Sequence, residues 1–275
     1  MSLDAATFRR RYGPWAVVTG ASRGLGEEFA RQLAALGLNL VLVARSEAPM
    51  AALAAGLEAA HGIETRVAPL DLGDGGFIDT LAAATEGLEV GLVVSNAALS
   101  TVGPLLSQDR AHLVRQLHLN AGAGLILARH FGPAMAKRGR GGIIFLSSGS
   151  ALHGTPFSAN YAGTKAYNLI LAEALWYEWR PLGVDVLGVA AGVTRTPGWA
   201  ANHPKPDRLV PVAEAAPVVT RSLAALGRRP SVAPGLRNRL GYALMAVVPR
   251  AWATRILGRS MGKMFGPFAS TFDND

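Results

Sequence analysis

Tyr161 and Lys165 stand four residues apart in the run Tyr161-Ala162-Gly163-Thr164-Lys165. On a helix that spacing puts both side chains on one face. A phenol ordinarily titrates at about 10 and is a poor acid–base at neutral pH unless a nearby cation lowers that value. Lys165 would be such a cation. Ser148 lies thirteen residues before Tyr161, within Leu146-Ser147-Ser148-Gly149-Ser150. It follows an apolar run that reads as a strand, so its hydroxyl is expected at the C-terminal edge of a sheet, where ligands of parallel α/β sheets bind. Turn chemistry would account for the serines as well, and an amphipathic helix start for the other two.

A second constellation lies near the N-terminus. Thr19-Gly20-Ala21-Ser22-Arg23-Gly24-Leu25-Gly26 closes an apolar run and enters a helical stretch. Residues without a Cβ let backbone amides approach a pyrophosphate at a helix N-terminus. The spacing is GxxxGxG rather than GxGxxG, and its place after a first strand gives it weight. A site that prefers NAD offers a carboxylate to the ribose hydroxyls at the end of the second strand. Here that strand ends Val43-Ala44-Arg45-Ser46, without an acid. Arg45, with Arg23 from the glycine loop, would suit a 2′-phosphate through charge-assisted contacts. The pattern predicts NADP(H) over NAD(H), the plainer reading being two ordinary surface arginines.

The elements that must hold these residues alternate along the chain. Strands are expected at 15–19, 39–43, 64–67, 90–95, 142–147 and 185–189, with a short seventh at 231–233. Helices are expected over 24–36, from the second strand to about residue 60, over 113–135 and over 161–180. Strands that are apolar without alternation are covered on both faces. Such a strand–helix order predicts a doubly wound parallel sheet in three α/β/α layers. No repeat or linker divides the chain.

Composition sets outer limits. Half of the 275 residues are hydrophobic and 17% are charged, enough to build a core. The absence of cysteine excludes disulfides, thiol nucleophiles and Cys-type zinc sites, and no metal site is expected. It fits a reducing, cytoplasmic setting. Arg9, Arg10 and Arg11 are not followed by the apolar run of a secretory signal. The longest apolar stretches fall well short of the ~20 residues that span a bilayer. The expected protein is soluble, or at most peripheral to a membrane. Its net charge of +8 is concentrated: residues 215–272 hold nine basic residues and no acidic one. That distribution argues against a nucleic-acid partner. It fits either a solvated basic surface or attraction to an anionic one.

Taken together, Thr19–Gly26, Asp71-Leu72, Ser95-Asn96-Ala97-Ala98, Asn120, Ser148, Tyr161 and Lys165 resemble the short-chain dehydrogenase/reductase family in order and spacing, over about residues 14–197. The resemblance implies that Tyr161 donates or accepts the proton and that Ser148 binds the substrate oxygen. Lys165 would hold the nicotinamide ribose and lower the tyrosine pKa. Asn120 would hold a water in a relay to Lys165. It further implies that Asp71 and Leu72 flank the adenine, that Asn96, Ala97 and Ala98 line the cofactor cleft, and that Thr194 and Thr196 contact the nicotinamide carboxamide or diphosphate. Ala98 replaces the family's usual glycine, and Ala191-Gly192 its usual Pro-Gly. Tyr12–Gly20, Val43–Ser46 and Ser147–Ser150 look like the branch of very-long-chain 3-oxoacyl reductases and 17β-hydroxysteroid dehydrogenases. That branch implies NADP(H) and a lipid-like ketone or alcohol. Family relatives also imply a homodimer or homotetramer, joined through helices at 109–136 and 161–180.

Leu152, Phe157 and Trp199 fall in segments expected to border the substrate, and they are apolar. Residues 1–235 read as the catalytic domain and 236–275 as its basic helical extension. Leu236, Leu240, Ala243, Leu244, Val247 and Val248 recur at helical spacing, and Pro249 suits the first turn of a second helix. These helices would pack on the domain or a partner subunit, or else form a lid or a membrane-surface contact. Competing readings of the whole chain are a non-catalytic NADP-binding sensor and a membrane-surface interaction protein.

Overall fold

The computed structural model describes residues 4–201, 205 and 211–266. Its strands are β1 (Trp15–Thr19), β2 (Asn39–Ala44), β3 (Thr65–Pro69), β4 (Val90–Ser95), β5 (Gly141–Ser148), β6 (Val184–Ala191) and β7 (Ser231–Val232). They form one parallel sheet in the order β3-β2-β1-β4-β5-β6-β7. Every residue of β1 and β4 is buried, which is why these strands read as unbroken apolar runs.

The helices are α1 (Ala5–Tyr12), α2 (Gly24–Ala35), α3 (Glu47–His61), α4 (Phe77–Ala84), α5 (Arg110–Leu117), α6 (Ala123–Arg138), α7 (Ala159–Trp179), α8 (Pro197–Ala200), α9 (Ala215–Ala225), α10 (Leu236–Ala246) and α11 (Arg250–Phe265). One core face joins Val18, Leu40, Leu42 and Ile144 to Phe29 and Leu33 of α2, Met50 of α3 and Val219 of α9. The other joins Val17, Val41, Val93, Ile143 and Phe145 to Leu81 of α4, Leu127 and Met135 of α6 and Ala172 of α7. The expected three-layer, doubly wound architecture is therefore the observed one.

Three departures from the sequence reading matter for the site. The long helix expected over 113–135 is two helices, α5 and α6, joined by a π-turn at His118–Gly122. Its extra residue per turn leaves backbone groups outside the regular ladder, and Asn120 sits in it, buried. Second, α7 begins at Ala159, two residues earlier than expected. Third, Pro249 caps α11 from outside rather than lying in its first turn.

The start of β6 is tied to α1 by charge and hydrogen bonding. Asp185 of β6 accepts from the Tyr12 hydroxyl at 2.8 Å and from Arg11 Nε at 2.9 Å. Burial and the facing carboxylate push the Tyr12 phenol well above its ordinary pKa. Tyr12→Phe leaves the Arg11–Asp185 pair in place and removes one hydrogen bond. It should lower unfolding free energy by about 1 kcal/mol in urea titration, and an unchanged midpoint would deny the bond a net contribution.

Candidate active site

The strand order reverses between β1 and β4, and the crevice at such a switch point is the usual ligand site of this architecture. Gly20 and Gly24 take left-handed backbone angles, φ +68° and +64°, which turn β1 into α2 within five residues. Gly26 is needed for packing: a Cβ there would lie 2.1 Å from the Gly20 carbonyl oxygen. Asn96 locks the turn from β4, its Nδ2 donating to the Thr19 carbonyl at 2.8 Å. Thr19 Oγ1 in return accepts from the amides of Asn96 and Ala97 at 2.9 and 3.1 Å. The α2 N-terminus has no side-chain cap, and its first residues, Gly24 and Leu25, line the cleft.

The crevice is a cleft of about 440 Å³. Gly20, Ser22, Arg23, Gly24 and Leu25 line it from the turn, and Arg45, Asp71 and Leu72 from the ends of β2 and β3. Asn96, Ala97 and Ala98 close it from β4, and Thr196 from the far side. Gly26 and Thr194 do not reach its wall; the hydroxyl of Thr194 donates to the Gly192 carbonyl at 3.0 Å. Among the described residues Asp71 is the one carboxylate on the wall, and it is already engaged: Arg115 pairs with it, and its other oxygen accepts from the Gly73 amide at 2.9 Å. Arg23 and Arg45 are exposed, and neither pairs with a carboxylate among the described residues.

Ser148, Tyr161 and Lys165, expected from the sequence to handle the proton, come together where the end of β5 meets α7. Ser148 is the last residue of β5, and α7 carries Tyr161 and Lys165 past it. Burial pushes the Tyr161 phenol above its ordinary pKa, outweighing the neighbouring Ser148 hydroxyl, which acts to lower it. Lys165 is 3% exposed. Its Nζ donates to the Leu146 carbonyl at 2.8 Å and lies 5.7 Å from the Tyr161 ring centre. Burial brings its pKa down to about 8. Among the causes acting on Tyr161, burial is the largest and Lys165 is not one of them.

Asn120 is equally committed. Its Oδ1 accepts from the Leu99 amide at 2.8 Å, and its Nδ2 donates to the Leu99 carbonyl at 2.9 Å and to Thr164 Oγ1 at 3.1 Å. Thr164 Oγ1 in turn donates to the Tyr161 carbonyl at 2.7 Å. With both amide hydrogens taken, the side chain clamps the loop after β4 to the first turns of α7.

Above these groups lies a roof that sequence reasoning did not foresee in this orientation. On α10 it is Asn238 and Tyr242 that face inward, whereas Leu236, Leu240, Leu244 and Val247 are exposed. Asn238 seats against Gly192, where a Cβ would lie 2.4 Å from its Nδ2. Tyr242 covers Gly149, where a Cβ would lie 1.9 Å from its hydroxyl oxygen. Burial, and then the neighbouring Tyr161, push the Tyr242 phenol up to about 12. Tyr242 was legible only as a residue out of phase with the leucine stripe. Gly258 of α11 packs on Pro156. Leu152, Phe157 and Trp199 are half-buried; Phe157 holds φ +63°, the one positive φ of a non-glycine among the described residues. Its carbonyl accepts from the Gly103 amide at 2.7 Å, joining the loops after β4 and β5.

These features fit a dinucleotide. The glycine turn admits a backbone approach, two guanidiniums have no carboxylate partner among the described residues, and the buried Lys165 ammonium spends one of its three donors on Leu146. The family described as short chain dehydrogenase matches residues 14–207. The chain is 34% identical over 206 residues to a 7β-hydroxysteroid dehydrogenase of Clostridium sardiniense, covering 75% of this chain and 79% of that protein. It is 40% identical over 179 residues to a very-long-chain 3-oxoacyl-CoA reductase of Pyricularia oryzae, covering 63% and 54%. A solved structure from a study of 7β-hydroxysteroid dehydrogenase stereoselectivity superposes with a TM-score of 0.85 at 29% identity, over 91% of this chain and 98% of the other. A short-chain dehydrogenase of Sphingobium yanoikuyae in complex with NADPH gives 0.75 at 28% identity, over 87% and 98%. The matched stretch runs from the strand before the glycine turn to beyond Thr196, and through it the chain belongs to the short-chain dehydrogenase/reductase family of nicotinamide-dependent oxidoreductases.

Proposed function

We propose that the chain interconverts a ketone and a secondary alcohol with NADP(H), on an apolar substrate of the steroid or 3-oxoacyl kind. The observation that carries this reading is the joining of Ser148, Tyr161 and buried Lys165 at the end of β5, beside a cleft with two unpaired arginines. Gly20, Ser22, Gly24, Arg23 and Arg45 would hold NADPH, which would supply the hydride for reduction of the carbonyl carbon. Tyr161 gives its phenolic proton to the carbonyl oxygen, and Ser148 holds that oxygen by a hydrogen bond. The raised pKa of Tyr161 keeps the phenol protonated at neutral pH, the form that reduction uses. Alcohol oxidation uses the phenolate, so its rate rises with pH. Lys165 offers its remaining donors to the nicotinamide ribose. Asn120 acts as a positioning residue, through Thr164.

Elsewhere in the cleft, Gly20, Ser22, Gly24 and Leu25 would hold the diphosphate, with Thr196 opposite. Asp71 and Leu72 would take the adenine, and Arg23 and Arg45 the 2′-phosphate. Leu152, Phe157, Trp199 and Tyr242 would bound the substrate. Relatives named for steroid and 3-oxoacyl-CoA substrates support the choice of substrate class, and the NADPH-bound relative that of cofactor. Exposed Val114, Leu117, Leu125, Tyr167 and Ile170 on α5–α7 support a homodimer or homotetramer.

Two measurements test the reading. In fluorescence titration NADPH should bind about ten- to a hundredfold more tightly than NADH, the worth of a charge-assisted phosphate contact. Arg45→Asp should erase that preference, and equal affinities in the unaltered protein would refute it. NADPH oxidation should be followed over steroidal ketones, 3-oxoacyl thioesters and small polar ketones. At about fourfold per buried methylene, an apolar ketone should exceed a small one at least ~100-fold in kcat/KM. Tyr242→Ala should raise KM for the large ketone about tenfold with NADPH affinity unchanged, because the ring covers Ser148–Gly149 and not the cofactor cleft. Equal turnover of small polar ketones would overturn the substrate class.

A further inference from the structure

Among the described residues nothing covers the outer face of the C-terminal helices. At 100° per residue, Leu236, Leu240, Leu244 and Val247 fall within about 80° of arc on α10. All four are exposed, Val247 at 79% and Leu240 at 62%. Arg237 and Arg239 flank the arc on its two sides, and both are exposed. On α11, exposed Trp252 and Ile256 lie among exposed Arg255, Arg259 and Lys263, with the Arg255 guanidinium over the Trp252 ring at 6.0 Å. The opposite face of α11 buries Ala253, Met261 and Met264. Scattered exposed leucines are ordinary; a contiguous stripe rimmed by one sign of charge marks a contact surface.

We propose that this face rests on an anionic phospholipid surface. Charge decides the occupant. Residues 215–272 contain no carboxylate, and among the described residues none of the arginines or the lysine just named is in an ion pair. A second copy seated on the same stripe would press arginine against arginine with nothing between to offset them. An anionic leaflet meets the basic rim with opposite charge and accepts the leucine stripe in its interfacial region. No helix among the described residues is long and apolar enough to cross a membrane, so the contact is peripheral. It would also lie one helix thickness from the chemistry, since Tyr242 on the inner face of α10 touches Gly149 beside Ser148. The docking proposal stands on the face itself and is independent of the reaction assigned above.

The full chain should be sedimented with vesicles of phosphatidylcholine alone and with about 30% phosphatidylglycerol, the anionic content that gives a strong surface potential. The expected result is pelleting with the anionic vesicles only, reversed by salt. Arg237→Gln and Arg239→Gln should each weaken it about fivefold, and Leu240→Ser with Leu244→Ser should abolish it. NADPH affinity, read by fluorescence in the same variants, should stay at the value of the unaltered protein and so certify the fold. No pelleting with anionic vesicles, or equal pelleting with neutral ones, overturns the proposal. So does a concentration-dependent oligomer that the leucine variants dissociate without any vesicle binding, which assigns the face to a second copy. Ketone turnover, measured in solution without vesicles, reports on the reaction separately.

Discussion

The Lys165 ammonium is buried beneath the C-terminal edge of the sheet, and a buried cation is tolerated only where its surroundings are fixed and partly compensate it. The compensation comes from β5: Lys165 Nζ donates to the Leu146 carbonyl, and the Ser147 hydroxyl donates back to the Lys165 carbonyl at 2.6 Å. Strand and helix are thus tied in both directions at one level. The same tie sets Tyr161, one turn earlier on α7, against Ser148 at the end of β5. Asn120 and Thr164 fix that turn from the other side, and the π-turn is what lets Asn120 reach both Leu99 and α7. The Asn120 carbonyl accepts from Asn168 Nδ2 at 2.7 Å.

Charge is sorted along the cleft. Where the cleft meets the ends of β2 and β3, Asp71 is paired with Arg115, leaving Arg23 and Arg45 to set the sign of the field among the described residues. At the other end burial governs: it raises Tyr161 and Tyr242 and lowers Lys165, all toward their uncharged forms. One end is therefore suited to a phosphate and the other to an apolar molecule with a single polar oxygen. Gly149 and Gly192 let the roof close onto the second end, since side chains there would collide with Tyr242 and Asn238.

The legible parts of the sequence are those where one constraint acts alone. Val90–Ser95 and Trp15–Thr19 are buried on both faces, so apolar runs mark them to the residue. Ser148, Tyr161 and Lys165 are legible because strand end and helix spacing together place them. The π-turn is not legible, since Leu113 to Met135 keeps a helical pattern across it. The orientation of α10 misleads for a physical reason: leucines at helical spacing look the same whether they cover a core or face outward. Asn238 and Tyr242, four apart on the opposite side, were the available signal. The hydrogen bonds of Asn120 and the surroundings of Tyr161 depend on which way a side chain turns, and spacing does not encode that.

The central claim is that Tyr161 moves the proton while the rest of the site holds cofactor and substrate. Tyr161→Phe removes one hydroxyl and leaves the ring between Ser148 and Lys165. The most direct measurement is its single-turnover rate of ketone reduction with bound NADPH, taken on protein whose NADPH dissociation constant has been read beforehand. The account predicts an affinity within about twofold of the unaltered protein and a rate lower by about 10²–10⁴, the usual weight of a general acid. A near-normal rate at full NADPH occupancy would contradict it.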